Sequence, residues 1–178
     1  LQEDSFIGTM RCVHKHTGLI LHCINAVYNE KNIFLREVEI INPYEHKEEV
    51  KIFFHQVFSI NETTQGDTTY YDPIKNAIIH YKGRRMFLVY AETSNIPFDD
   101  YSVGLYGIEG REGTYKDAED GKLSKNPIEH GHVDSCIALS LTLHKHEAKK
   151  VNYWITVGET KPEVYELHDY VLYRRPEQ

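Results

Sequence analysis

Three His-x-His pairs, His14/His16, His130/His132 and His144/His146, are the residues whose spacing first suggests chemistry. Side chains two apart on a strand share a face, so each pair could present two imidazoles to one metal ion. Two of the pairs fall in or beside turn sequences, where histidine is a tolerated polar residue. The third lies in His130-Gly131-His132-Val133-Asp134, next to an acidic stretch, and adding the carboxylate gives a three-ligand set. Spacing by itself specifies no metal, and none is assigned.

Carboxylates are the second candidates. Asp99-Asp100 and Asp117-Ala118-Glu119-Asp120 could pair an acid with a base for glycoside hydrolysis, which requires two carboxyls about 5 to 10 Å apart. In turns, however, Asp and Glu more commonly cap backbone N–H groups, and that is the preferred reading. Ser135-Cys136 follows Asp134 inside a strand-like run, where Cys136 is expected to pack as a small apolar residue. Asn61-Glu62-Thr63 is a formal glycosylation sequon, relevant only in a secreted protein. Tyr70, Tyr71, Tyr101, Tyr106 and Tyr115 fall outside clear core alternation, in loops or at strand ends, as residues for ligand or partner contact would.

The elements that must position these residues are mostly strands. Residues 6–14 and 19–28 flank Lys15-His16-Thr17-Gly18 and read as a hairpin. Ile33 to Ile41 alternates apolar and charged residues until Asn42-Pro43, and Val50 to Phe58 follows. Ala77 to Lys82 turns at Gly83 into Met86 to Ala91. Val133 to Leu143 is expected to pair with Lys150 to Val157 across His144-Lys145-His146-Glu147. The pattern predicts about eight to twelve strands. Helix signals are confined to two places. Thr160 as N-cap, Pro162, and Val164, Leu167 and Val171 at helical spacing predict a terminal helix ending at Pro176. Thr114 to Gly121 predicts a short helix or turn within a long polar connection from Ile108 to Gly131. Such connections usually carry function or an interface.

Composition limits the rest. In 178 residues, 20 Lys and Arg against 27 Asp and Glu leave a charge of −7, which argues against nucleic acid as a partner. A 40% hydrophobic share supports one core. Three cysteines, Cys12, Cys23 and Cys136, without C-x-x-C spacing signal neither a disulfide framework nor a structural zinc, and fit a cytoplasmic location. No apolar run approaches a membrane span, and no membrane partner is expected. The opening Leu1 rather than Met reads as a piece of something longer.

Asp117-Ala118-Glu119-Asp120-Gly121-Lys122-Leu123-Ser124-Lys125-Asn126-Pro127-Ile128, followed by Gly131-His132-Val133-Asp134-Ser135, resembles a stretch of the bacterial and archaeal glucoamylase-like enzymes of glycoside hydrolase family 15. Arg36-Glu37-Val38-Glu39-Ile40-Ile41-Asn42-Pro43 with Val50 to Phe54 is similar to the family's early strands. Tyr153 to Thr160 with Glu163-Val164 is similar to its closing strand and linker. The resemblance spans residues 6 to 172.

It implies an all-β chain: an antiparallel β-supersandwich of two sheets over residues 1–158, and a C-terminal linker helix over 159–178 leading to an (α/α)6 catalytic domain outside this sequence. The family's two catalytic glutamates belong to that barrel, so no residue here inherits a catalytic role, and no cofactor is implied. The family hydrolyses α-linked glucose from maltooligosaccharides, dextrin-like glucans or trehalose with inversion. The expected partner is the chain's own catalytic barrel, with carbohydrate as a further candidate. Asp117, Glu119, Asp120, Asn126, His132 and Asp134 are the expected interdomain or substrate-rim residues. The alternative is an autonomous carbohydrate-binding or mutarotase-like module, since sugar mutarotases share a similar supersandwich and use a His and a carboxylate.

Overall fold

The computed structural model describes residues 6–63, 66–107 and 113–174, without the side chains of Tyr115 and Asp117. Twelve strands appear among them. The first six are β1 (Ile7–Val13), β2 (Ile20–Val27), β3 (Ile33–Ile41), β4 (Glu48–Val57), β5 (Asp67–Asp72) and β6 (Ala77–Lys82). The others are β7 (Arg85–Thr93), β8 (Ile96–Pro97), β9 (Asp100–Leu105), β10 (Ile128–Gly131), β11 (Val133–Leu143) and β12 (Ala148–Gly158). One turn of helix, α1 (Thr114–Asp117), and a terminal helix, α2 (Lys161–Arg174), complete the order. The strands form two antiparallel sheets. The larger has nine strands, in the order β1-β2-β3-β12-β7-β6-β5-β10 with β8 on β7; the smaller is β4-β11-β9.

Both predicted hairpins form, β1 with β2 and β6 with β7. The expected pairing of Val133–Leu143 with the strand after it does not. β11 lies between β4 and β9, whereas β12 lies between β3 and β7 in the other sheet. The turn at 144–147 therefore crosses from one sheet to the other, as does the chain from β3 to β4. A single buried side chain holds both crossings. Asn42 donates from Nδ2 to the carbonyls of His46 (2.8 Å), Leu143 (3.3 Å) and His144 (3.0 Å), and its Oδ1 accepts the Tyr44 N–H (3.0 Å). Its own N–H donates to the Glu147 carbonyl, so backbone groups freed where the strands part are paired again.

Strand alternation decides which side chains meet between the sheets. Ile137, Leu139, Leu141 and Leu143 of β11 face Val151 and Tyr153 of β12 and Val89 of β7 within one core. Tyr153 stacks on Phe54 across the gap, ring centroids 4.6 Å apart. The alternate residues of β12 face the opposite way, where α2 packs. Val164, His168 and Val171, at helical spacing, are its buried face. The Trp154 indole N–H donates to His168 Nδ1 (3.1 Å), and the Thr156 hydroxyl donates to the Val164 carbonyl (3.1 Å). The start of the helix is capped as its sequence predicts: Thr160 Oγ1 accepts the Glu163 N–H, and the Glu163 carboxylate accepts the Glu159 N–H. Asp72 bonds Tyr165 and Lys161, and Lys75 bonds Asp169 at 2.6 Å, fastening α2 to the β5–β6 turn. The expected stop at Pro176 lies outside the described residues. Among the described residues, no helix is long and apolar enough to cross a membrane.

Candidate functional site

The small sheet has a second face. Asp134, Cys136 and Ala138 alternate with the core residues of β11 and so point away from the large sheet, yet each is at most 1% exposed. The segment from Gly113 to Asn126 covers them. Leu123 and Ala118 pack on Cys136, Ala138 and Phe53 as a small second apolar cluster, which gives Cys136 the packing role its neighbours predict. Thr114 to Gly121 forms α1 and a 3-10 turn over Ala118–Asp120, closed by Gly121 at φ +79°, as expected.

Polar groups of the sheet fix this cover strand by strand. From β9, the Asp100 carboxylate accepts the Leu123 N–H (3.2 Å) and Lys51 Nζ (2.8 Å), and the same ammonium reaches the Gly121 carbonyl (2.8 Å). Ser102 and Ser124 share a hydrogen bond of 2.6 Å. Asn126 Nδ2 donates to the Val103 and Ile128 carbonyls, at 2.7 and 3.2 Å. From β11, Asp134 Oδ2 accepts the Thr114 N–H (2.7 Å), the Thr114 hydroxyl (3.0 Å) and His55 Nε2 (2.8 Å). Asp134 Oδ1 is buried without a hydrogen-bond partner among the described residues. The fit above the carboxylate is tight. Gly113 sits at φ +78°, and a Cβ there would come within 2.4 Å of Asp134 Oδ2, so only glycine brings the loop down onto it.

The expected residues thus divide. Asp134 anchors the segment from beneath, and Asn126 ties its end to the Val103 carbonyl. The Asp120 carboxylate accepts the Lys122 N–H (3.0 Å), a turn cap, while Glu119 is exposed on the surface of the cover. The Asp117 side chain lies outside the described residues, as does residues 108–112 of the long connection. His132 packs edge-on against Tyr106, centroids 5.3 Å apart, and Tyr106 lies 6.0 Å from the His55 ring. The surface beside the buried carboxylate is therefore a row of imidazole and phenol rings.

The possible metal set is not assembled. His130 bonds Thr68 on β5, and Asp134 turns to His55 and Thr114. Among the described residues, no group of three His, Cys, Asp or Glu side chains is arranged to hold a metal ion. Asp99 and Asp100 act separately, Asp99 accepting the Ser140 N–H and Asp100 holding the cover. The tyrosines expected in loops or at strand ends are partly structural: Tyr70 and Tyr71 lie in β5 and Tyr101 in β9, and Tyr71 stacks on Tyr101 at 4.2 Å.

Directly behind Asp134, Ser135 faces the core. Its hydroxyl lies 2.8 Å from His80 Nε2 and donates to Gln56 Oε1 (2.8 Å), and His80 Nδ1 lies 2.7 Å from Thr69 Oγ1. A serine beside an imidazole has the geometry of an activated nucleophile. Here both residues are at most 1% exposed, so no substrate reaches them. Burial, with a smaller contribution from nearby His55, lowers the His80 pKa to about 3, and burial raises the Tyr153 phenol to about 12. These are properties of a satisfied polar core. His55, Lys51 and His80 escaped the sequence reading because their partners lie 79, 49 and 55 residues away, and only strand register brings them together.

No family model and no curated protein sequence matches the chain. Among solved structures, the chain is similar to a bacterial glucoamylase complexed with acarbose, with a TM-score of 0.76 at 10% identity, over 98% of this chain and 25% of that one. The chain therefore spans a quarter of that glucoamylase, and the likeness is one of fold. A TPR-domain containing protein from Parabacteroides distasonis overlaps 89% of this chain and 33% of its own at 14% identity, with a TM-score of 0.47, too low to add to the comparison.

Proposed function

We propose that the chain is a non-catalytic β-sandwich module of a glucoamylase-like glycoside hydrolase, supporting a catalytic barrel carried elsewhere in the polypeptide. The observation that carries this reading is the fold similarity to a bacterial glucoamylase over nearly the whole chain but only a quarter of the enzyme. The chemistry of the site agrees. Asp100 and Asp134 are occupied in holding backbone, and the Ser135–His80 pair is sealed in the core. An acid and base for glycoside hydrolysis must instead flank an accessible bond. The outer surface of the cover, with Glu119 and Asp120, and the neighbouring Tyr106 and His132 form the face we assign to the barrel.

Glucose release from maltose, a dextrin and trehalose tests the non-catalytic assignment. The purified 178-residue chain is expected to release none, and measurable turnover overturns it. In the longer encoded enzyme, Glu119→Lys, at an exposed position of the cover, is expected to lower glucosidase activity while leaving the melting of the 178-residue chain unchanged. Undiminished activity would remove the docking face while leaving the accessory role intact.

A further inference from the structure

The exposed apolar side chains of this molecule are unevenly placed. Phe6, Ile7, Met10, Val13, Ile24 and Val27, on the first hairpin and its flank, are six of the twelve large hydrophobics exposed among the described residues. All seven residues of β1 are exposed, and β1 has β2 as its single sheet neighbour among those residues. Its register runs from Ile7↔Ala26 to Val13↔Ile20 without a bulge. The strand contains no proline, lysine or bulge, and Arg11 is its one charged residue, so most of the devices that blunt a sheet edge are missing.

The direction of the unpaired backbone groups follows from the hairpin. Val27 N–H donates to the Phe6 carbonyl and His14 N–H to the Leu19 carbonyl, which puts the even-numbered residues of β1 in hydrogen-bonded pairs with β2. Ile7, Thr9, Arg11 and Val13 therefore turn their N–H and C=O groups outward, away from the sheet.

We propose that β1 pairs antiparallel with β1 of a second copy of this chain, about a two-fold axis at Met10. In that register Ile7 meets Val13, Thr9 meets Arg11 and Gly8 meets Cys12, and every outward N–H and C=O from Ile7 to Val13 finds a partner. Moving the axis to Arg11 sets two guanidinium groups against each other, and moving it to Thr9 leaves Val13 outside the ladder. Charge also favours this edge. Each copy carries −7 overall, but β1 has no carboxylate, and its one cation, Arg11, already bonds His22 at 3.2 Å. The edge is where two acidic bodies meet with least repulsion, through a self-complementary contact of the kind a two-fold dimer requires.

Sedimentation equilibrium of the 178-residue chain is expected to show a concentration-dependent dimer. Met10→Lys, at a side chain 56% exposed in the monomer, is expected to raise the dissociation constant about tenfold or more without altering the far-UV spectrum. The axis places the two Met10 residues in a non-hydrogen-bonded pair, the spacing at which a disulfide fits. In a background with Cys12→Ser and Cys23→Ala, which also removes the thiol opposite Met10 on β2, Met10→Cys is expected to oxidise to a covalent dimer much faster than Ile74→Cys, a control 74% exposed in the β5–β6 turn. A chain that is monomeric at every concentration, with Met10→Cys crosslinking no faster than the control, overturns the proposal. So does a dimer indifferent to Met10→Lys.

Discussion

His80 shows at the level of one residue how burial turns a titratable group into a stability term. Its imidazole is enclosed between β6 and β11, bonded on both nitrogens, and its pKa is lowered from 6.5 to about 3. The folded state thus binds this proton less readily than the unfolded chain. The contribution is complete above about pH 6.5 and is lost as pH falls toward about 3, with a slope of up to about 1.4 kcal/mol per pH unit. Urea unfolding at pH 7.5 and 4.5 measures it. His80→Gln is expected to be less stable at pH 7.5 but to lose less on acidification. An equal loss in both proteins would show that His80 is not the source. The sequence flagged other histidines, in His-x-His pairs, because spacing is visible along the chain. Burial is a property of the assembled sandwich, and so His80 and the His55–Asp134 contact carried no local signal.

At the scale of elements, the crossings between sheets separate what was legible from what was not. β3, β6 and β11 begin and end where the alternation and turn residues place them, and α2 begins at its Thr160 cap. The partner of β11 was not legible, since a short polar turn suits a hairpin and a sheet-to-sheet crossing equally well. Asn42 decides between them by joining the carbonyls at 143 and 144 to the corner after β3. Asn42→Ala is expected to cost about 2 to 4 kcal/mol in denaturant unfolding, because several buried backbone groups lose their partner together. Asn42→Asp should also destabilise, since a carboxylate has no N–H to donate. A loss below about 0.5 kcal/mol for Asn42→Ala would mean that water replaces the amide. β5, β9 and β10 were missed for another reason: Asp67-Thr68-Thr69-Tyr70-Tyr71-Asp72 is polar at both ends, and its strand is held by its neighbours rather than by its own alternation.

Across the whole molecule, α2 and both sheets share one hydrophobic core, and the single tryptophan, Trp154, is 1% exposed where helix and sheet meet. The terminal helix packs against the large sheet through Val164, His168 and Val171. Fluorescence of Trp154 and far-UV circular dichroism are expected to report one coincident unfolding transition. Val164→Ala should shift both by the same amount, about 2 kcal/mol. A fluorescence transition that separates from the dichroism would make α2 an independent unit.

The amino-acid sequence by itself determined that this is an antiparallel, strand-rich chain with a capped terminal helix and a short helix or turn at Thr114 to Gly121, because alternation, caps and turn residues act over a few positions. Only the tertiary structure decided that residues 113–126 lie over the small sheet, that Asp100 and Asp134 hold them down, and that the Ser135–His80 pair is inaccessible. Those outcomes depend on strand register between residues dozens of positions apart, where shifting a pairing by one residue reverses every face.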